Sequence, residues 1–471
     1  MMSLKLVRAL RVNSSPVIAF AGAGGKTTAM FQAARQLKSP VIVTATTHLG
    51  TWQIPFADKH IAAESPASLK GLELESDGVI LVTGNFDEDR TKPIDDQTLN
   101  WLHQFCGDHS IPLLIEADGA KQKPLKAWAG HEPPIPSFVD LVVQIAGLAG
   151  LGKSLNDEYV HRPEIFSGLS GLNIGESVTP DALTRVLTHA QGGLKNIPTQ
   201  ARRVLVLNHA DTPELQATAH GLVPSLLSNF HSVIVSSLKQ EKIWAVHEPV
   251  AGVILAAGES ARYGQPKQLL DWKGKPFVRV AAMTALEAGL SPVIVVTGAN
   301  AERVESAVID LDVIIVRNDD WKSGQAGSIK AGISSLTQPP TSTSVATLPP
   351  LSAKQDTSPK SKGFRGGREG AAIFLLTDQP QITTSILRAL VEKHADGLYP
   401  VVAPMVMDRR ANPVLFDRVT FDDLLTLKGD VGGRAIFHKH RVEYLPWHDD
   451  RLLLDVDTPE MYQRLISDDS L

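Results

Sequence analysis

Cysteine is almost missing from this sequence. Its 471 residues contain one, Cys106, which excludes an internal disulfide framework and a cysteine cluster for zinc and fits a reducing cytoplasm. The lone thiol reads as a small buried apolar side chain. Positive charge is also not in excess: the formal net charge is -5. Nucleic acid and anionic membrane surfaces attract basic proteins, so neither is expected as a partner. Long apolar runs are missing as well. The longest, VDLVVQIAGLAGLG at 139–152, carries Asp140 and Gln144 and is too short to cross a bilayer as a helix. The first sixteen residues, MMSLKLVRALRVNSSP, spread their charges and show no export signal. The expectation is a cytoplasmic protein. What is present is ordinary globular material, 43% hydrophobic and 21% charged. It is spread over a length that one core rarely serves, so two domains are expected.

The first half alternates short β-rich runs (SPVIAF, SPVIVTA, GVILVTG, PLLIEA, LVVQIA, RVLVLN, SVIVSS) with helical segments. Near-continuous apolarity in those runs predicts parallel strands buried on both faces. A second cycle starts at Ala251 with GVILAA, followed by SPVIVVTG, VIIVRN and AAIFLLTD. The expected fold class is therefore α/β in two domains, 1–245 and 250–471, with QEKIWAVHEPV read as the linker between them. Within the second domain, 338–369 is rich in Pro, Ser, Thr, Lys and Gly. It cannot bury enough apolar surface to offset its ordering entropy, which predicts a mobile insertion.

Two glycine-rich loops carry the chemistry. In the second domain, the run Leu255, Ala256, Ala257, Gly258 ends a strand and leads to Arg262 and Lys267. Small residues let backbone N–H groups approach phosphate oxygens, and the two cations would neutralise their charge. Asp378 ends another apolar strand, where α/β sheets present ligands, and Mg²⁺ beside phosphates is commonly held by one or two carboxylates. Asp457 is the expected second ligand. Asp455 has the same parity along the chain, and spacing alone does not choose between them. Ser328, placed on or near a helix start, reads equally well as a nucleotide-orienting hydroxyl or as a cap.

These residues, with QPKQLL, the NDDW run from Asn318, LLTDQP, RANPVLF, LKGDVGGR and LDVDTPE, resemble the MobA/MocA-like family and its molybdenum cofactor cytidylyltransferase branch. The resemblance implies a Rossmann-like nucleotidyltransferase in which a pterin phosphate attacks the α-phosphorus of CTP and pyrophosphate leaves. It needs positioning and charge neutralisation, not an enzyme nucleophile. Asn412, Asp430 and Arg434 fall to the pterin side. Alternatives within the same chemistry are a guanylyltransferase or a sugar-phosphate nucleotidyltransferase; a different class of alternative is a non-catalytic chaperone of the finished cofactor.

The first loop, AFAGAGGKTT, carries Phe20 where the standard phosphate loop has its first glycine. Its second half is intact: Gly24, Gly25, Lys26, Thr27 and Thr28, with Lys26 for terminal phosphates and Thr27 for Mg²⁺. Glu116 and Asp118 follow a later strand, where a carboxylate would hold a metal through water or polarise an attacking water. His48 reads as a structural histidine. NHAD at 208–211 is similar to a guanine-reading element with His209 in place of lysine. With EADGAKQKPLKAW, HEPPIP and VHRPEIF, the segment from about Pro16 to Ser237 resembles the YqeC family of accessory proteins for selenium-dependent molybdenum hydroxylases. That resemblance implies a P-loop NTPase-like domain binding ATP or GTP, with the molybdopterin cofactor and a hydroxylase client as partners. Spacing does not show whether His131, Glu132, His161 and Glu164 meet.

Overall fold

The computed structural model describes residues 4–12, 14–70, 78–260, 263–337 and 369–468. Arg262 and the insertion at 338–368 lie outside them. The chain separates into two compact units, Met1–His247 and Glu248–Leu471.

The first unit is built on a nine-stranded sheet. In chain order its strands are β1 (Val17–Gly22), β2 (Val41–Ala45), β3 (Lys59–Ala62), β4 (Val79–Thr83), β5 (Leu113–Glu116), β6 (Leu141–Gly147), β7 (Arg202–Asn208), β8 (Ser232–Ser237) and β9 (Lys242–His247). Their spatial order is β9-β8-β7-β6-β1-β5-β2-β4-β3. Every pairing is parallel except that of β9 with β8. The expected seven runs are all strands, and their apolarity has the expected cause: β2, β4, β5, β6 and β8 are buried along their whole length. One expectation is corrected. Residues 242–247 do not link two domains but form β9, which folds back antiparallel on β8. KIWAVH meets water on its outer edge, so it is less continuously apolar than a central strand. Cys106 is buried on the helix Asp96–His109, and burial pushes its thiol up to about 12.

The second unit has a mixed eight-stranded sheet: β10 (Val250–Ala256), β11 (Val293–Thr297), β12 (Ile314–Arg317), β13 (Ala371–Leu376), β14 (Val401–Val406), β15 (Arg409–Arg410), β16 (Val414–Asp417) and β17 (Val442–Pro446). The order is β12-β11-β10-β13-β16-β14-β15, with β17 also on β14. β10 to β13 run parallel, and β16 turns antiparallel against β13. Separate apolar clusters cover its two faces, one around Ile254, Val295 and Ile373 and the other around Val253, Val296 and Phe374. Alternation along each strand supplies both. In each unit a glycine-rich loop leaves the carboxyl end of a central parallel strand, β1 between β5 and β6, and β10 between β11 and β13. That edge is where open α/β sheets place ligands.

Candidate functional site

In the second unit the loop after β10 is tied down from behind. Gln268, only 3% exposed, donates Nε2 to the carbonyl of Gly258 at 2.6 Å and to that of Ala256 at 3.3 Å. Ser260 Oγ accepts the backbone N–H of Lys267 at 3.1 Å. The carbonyl of Leu255 accepts from Thr377 Oγ1 at 3.4 Å, and that of Ala257 accepts the N–H of Ala299 at 3.1 Å. Gly258 is exposed, and a Cβ built there would meet only Gln268 Nε2, at 3.8 Å. The protein itself does not require a glycine at this point.

Facing this loop, Lys267 Nζ bridges two carboxylates, Asp457 Oδ1 at 2.8 Å and Asp378 Oδ2 at 3.3 Å. The 455–457 segment is fastened to the end of β13 by the Val456 N–H, which donates to the Asp378 carbonyl at 3.0 Å. Gln379 donates Nε2 to Asp455 Oδ1 at 2.6 Å. Burial raises the Asp378 carboxyl above the ordinary aspartate value, with Lys267 opposing. Desolvation also raises Asp455, and the nearby Asp378 charge adds to it. Burial pulls the Lys267 ammonium down, but its bonds to Asp457 and Asp378 outweigh that and leave it above the ordinary lysine value. The Asp378 Oδ1 atom is buried with no hydrogen-bond partner. A partnerless buried carboxylate oxygen with one further carboxylate beside it fits a divalent cation whose remaining ligands come from phosphates.

The remaining sequence candidates divide. Asn412 and Arg434 come together, with Arg434 Nη2 donating to Asn412 Oδ1 at 3.3 Å and to the Arg410 carbonyl at 3.4 Å. Asp430 Oδ1 accepts the N–H of Gln325 at 3.4 Å, at the start of the helix Gln325–Thr337. Ser328 is therefore not that helix's cap. It lies one turn in, 6% exposed, and its hydroxyl accepts from Asn318 Nδ2 at 3.1 Å. In the sequence Asn318 stands only as the first residue of the NDDW run, and a ten-residue spacing to Ser328 carries no local signal of their contact.

In the first unit the loop is packed from within. A Cβ at Gly24 would lie 2.6 Å from Gly147 Cα, and one at Gly25, whose φ is 128°, would overlap Asn208 Nδ2. Lys26, at the start of the helix Lys26–Gln36, donates to the Gly22 carbonyl at 2.7 Å and pairs with Asp118 Oδ1 at 3.2 Å. Asp118 is completely buried and also takes Lys126 Nζ at 2.8 Å, Trp128 Nε1 at 2.8 Å and the Gly22 N–H at 3.1 Å. Burial pushes its carboxyl up, but Lys26 and Lys126 outweigh that and hold it below the ordinary value. Glu116 behaves oppositely. Burial raises it to about 7, and its Oε2 has no partner. Thr47 Oγ1, on the loop after β2, is also buried and unpartnered, and the neighbouring Thr46 N–H donates to the Glu116 carbonyl at 3.0 Å. Thr27 lies half-buried beside Glu116, and Thr28 is exposed. Of the two acidic candidates, Glu116 is the open one and Asp118 is spent on the fold.

NHAD is corrected in the same way. Asn208 commits its carboxamide to the chain, donating to the Gly24 carbonyl at 2.7 Å and accepting the Leu238 N–H at 2.9 Å, so it steadies the loop instead of facing a base. HEPPIP and HRPE do meet, as an ion pair and not a metal centre. Both terminal guanidinium nitrogens of Arg162, Nη1 and Nη2, bond Glu132, which in turn pairs with Lys126 at 3.3 Å. His131 and Glu164 are exposed, and among the described residues no group of three or more His, Cys, Asp or Glu could hold a metal ion. His48 is also exposed, 3.8 Å from Asp87. No helix among the described residues is long and apolar enough to cross a membrane.

The fold and the lysine–carboxylate cluster define the second unit as a nucleotide-handling α/β enzyme domain. The comparisons carry this further. Residues 252–444 match the MobA-like NTP transferase domain, and residues 18–164 match the YqeC protein family. The chain is 31% identical over 200 residues to the uncharacterized protein YqeC of Escherichia coli (strain K12), covering 41% of this chain and 75% of that protein. It is also 31% identical over 226 residues to nicotine blue oxidoreductase of Paenarthrobacter nicotinovorans, covering 46% of this chain and 96% of that one. A crystal structure of Rv0371c from Mycobacterium tuberculosis H37Rv aligns at 25% identity and a TM-score of 0.36, over 46% of this chain and 98% of that one. The chain belongs to the YqeC family through its first unit and to the MobA-like NTP transferases through its second, and it is a nucleotidyltransferase.

Proposed function

We propose that the second unit transfers CMP from CTP to the terminal phosphate of molybdopterin, releasing pyrophosphate, and that the first is a P-loop accessory domain serving the same molybdenum hydroxylase. The observation that carries this reading is Asp378: one oxygen rests on Lys267 and the other is buried without a partner, at the carboxyl end of β13 beside the Gly258 loop. A pterin phosphate oxygen forms the new bond to the α-phosphorus while the bond to the β-phosphate oxygen breaks. No residue of the chain joins the phosphorus. Asp378 and Asp457 would hold Mg²⁺, which when bound supplies the charge neutralisation that a triphosphate requires. Lys267 then steadies the leaving pyrophosphate, and Arg262, outside the described residues, is assigned to the same task from its place in the loop. The exposed Gly258 lets triphosphate oxygens approach the backbone. Asn412 and Arg434, already joined, would receive the pterin, and Asp430, at the start of the helix Gln325–Thr337, is assigned to the same side.

In the first unit, Gly24 to Thr28 would take the phosphates of ATP or GTP, with Glu116 as the carboxylate nearest the metal. A redox reading, suggested by the name of the Paenarthrobacter relative, does not explain a lysine bridging Asp378 and Asp457 beside a buried, partnerless carboxylate oxygen. The discriminating experiment incubates the full chain with molybdopterin, Mg²⁺ and each of the four nucleoside triphosphates and identifies the product by mass. A cytidine dinucleotide is expected. A guanine dinucleotide would reassign the base, and no pyrophosphate release with any triphosphate would sink the reading.

A further inference from the structure

Resting on that reading, we propose that Lys267 is a built-in stand-in for the divalent cation: its ammonium holds Asp378 and Asp457 together until a triphosphate draws it away, so that cation and triphosphate enter as one complex. The two carboxylates reach the site from separate segments, and Asp455 adds a third acidic group beside them. Asp378 and Asp457 repel each other, and Asp455 adds to that repulsion, unless a cation sits between the two. Lys267 contacts both, at 2.8 and 3.3 Å. Its backbone is fixed by Ser260, on the same loop assigned to the triphosphate, while its four-carbon stem can swing without moving that loop. Phosphate oxygens arriving at the loop therefore compete for the ammonium where its root already lies. Once the ammonium turns to them, Asp378 and Asp457 are left with unmet charge facing the buried Oδ1 of Asp378. The exchange swaps a monovalent bridge for a divalent one at the moment a polyanion appears to balance it. It also gives the free enzyme a reason not to hold metal on its own.

The test measures Mn²⁺ affinity of the full chain by electron paramagnetic resonance, with and without a non-transferable CTP analogue. Wild type is expected to bind Mn²⁺ weakly alone and tightly with the analogue. Lys267→Met should bind Mn²⁺ alone about tenfold more tightly than wild type, the size of one lost charge-assisted contact. Lys267→Ala, with its fold checked by circular dichroism, should repeat that gain. Arg279→Gln, which removes a charge paired with Asp310 and not with these carboxylates, should leave the affinity unchanged, and Asp378→Ala should abolish it in every arm. If Lys267→Met and Lys267→Ala bind Mn²⁺ no more tightly than wild type, or Arg279→Gln gains as much as they do, the stand-in role is overturned while the transferase reading survives. If wild type fails to bind Mn²⁺ even with the analogue, both fall.

Discussion

The two glycine-rich loops end alike in sequence, each reaching a lysine, yet the molecule builds them differently. In the first, the glycines are demanded by the protein: Gly24 touches Gly147, Gly25 leaves no room beside Asn208, and Lys26 is 6% exposed against a fully buried Asp118. In the second, Gly258 has space for a Cβ, and Lys267 bridges carboxylates that are 23% and 61% exposed. A glycine that the fold requires keeps the loop in shape with nothing bound. A glycine with open space around it is needed only by what comes to lie there. The first loop is thus pre-shaped by packing, and the second is held by ion pairs that a ligand can exchange.

The sharpest way to break this contrast is to remove one carboxylate from each loop. Asp378→Ala should lower the rate of nucleotidyl transfer by on the order of 10³-fold, since it withdraws charge stabilisation at the reacting phosphates. Stability should change little, because burial already disfavours the charged Asp378 and its partner Lys267 keeps Asp457. Lys26→Ala should leave that rate intact. Pyrophosphate release checks both, and an equal loss in Lys26→Ala would mean that the two loops do not work separately. Asp118→Ala should do the reverse. It strands Lys26 and Lys126 in a dry interior, which costs roughly 3–5 kcal/mol, so the first unit should unfold at markedly lower urea concentration while transfer by the second persists.

The same contrast explains what could be read from sequence. All the parallel strands around both loops were legible, because burial on both faces writes itself as unbroken apolar runs such as VILVT and IFLL. The strands not legible are β9 and β17, whose residues are partly exposed, the short β3, β15 and β16, and β14, whose apolar run VVAPMV is interrupted by Pro404. Lys26, Lys267 and Asp378 were legible because loop chemistry is local in sequence. The partners that decide their behaviour were not. Asp118 and Glu116 stand two residues apart, and only the tertiary positions of Lys126 and Trp128 make one a structural anchor and the other an open acid. Likewise, Asp430 meets Gln325 across 105 residues, a pairing no periodicity records.

Glu116 gives a smaller effect with a definite sign. Its pKa rises through burial from the ordinary 4.5 to about 7. Below pH 4.5 both folded and unfolded chains hold this proton, and Glu116 makes no difference. Between 4.5 and 7 the unfolded chain ionises while the folded one stays protonated, so stability falls as pH rises, and above 7 the loss levels off. Glu116→Gln should therefore match wild type near pH 4 and exceed it by up to about 3 kcal/mol above pH 7. Denaturant titrations of the first unit at the two pH values measure this. A constant difference would mean that Glu116 stays ionised in the fold.

The smallest effect is expected at Ser328, and there the outcome separates two roles. Ser328→Ala leaves the amide of Asn318, 8% exposed, without its acceptor at 3.1 Å, and one such loss costs about 1 kcal/mol. If the hydroxyl only steadies Asn318 at the end of β12, the second unit should lose that stability with KM for the nucleoside triphosphate unchanged. If Asn318 and Ser328 together orient the nucleotide, KM should rise several-fold, because an acceptor misaligned by the missing hydroxyl weakens ground-state binding before it touches the rate. Adding Asn318→Ala to Ser328→Ala then settles the coupling: no further change in KM is expected when the two act as one unit, and additive losses when each meets the nucleotide separately.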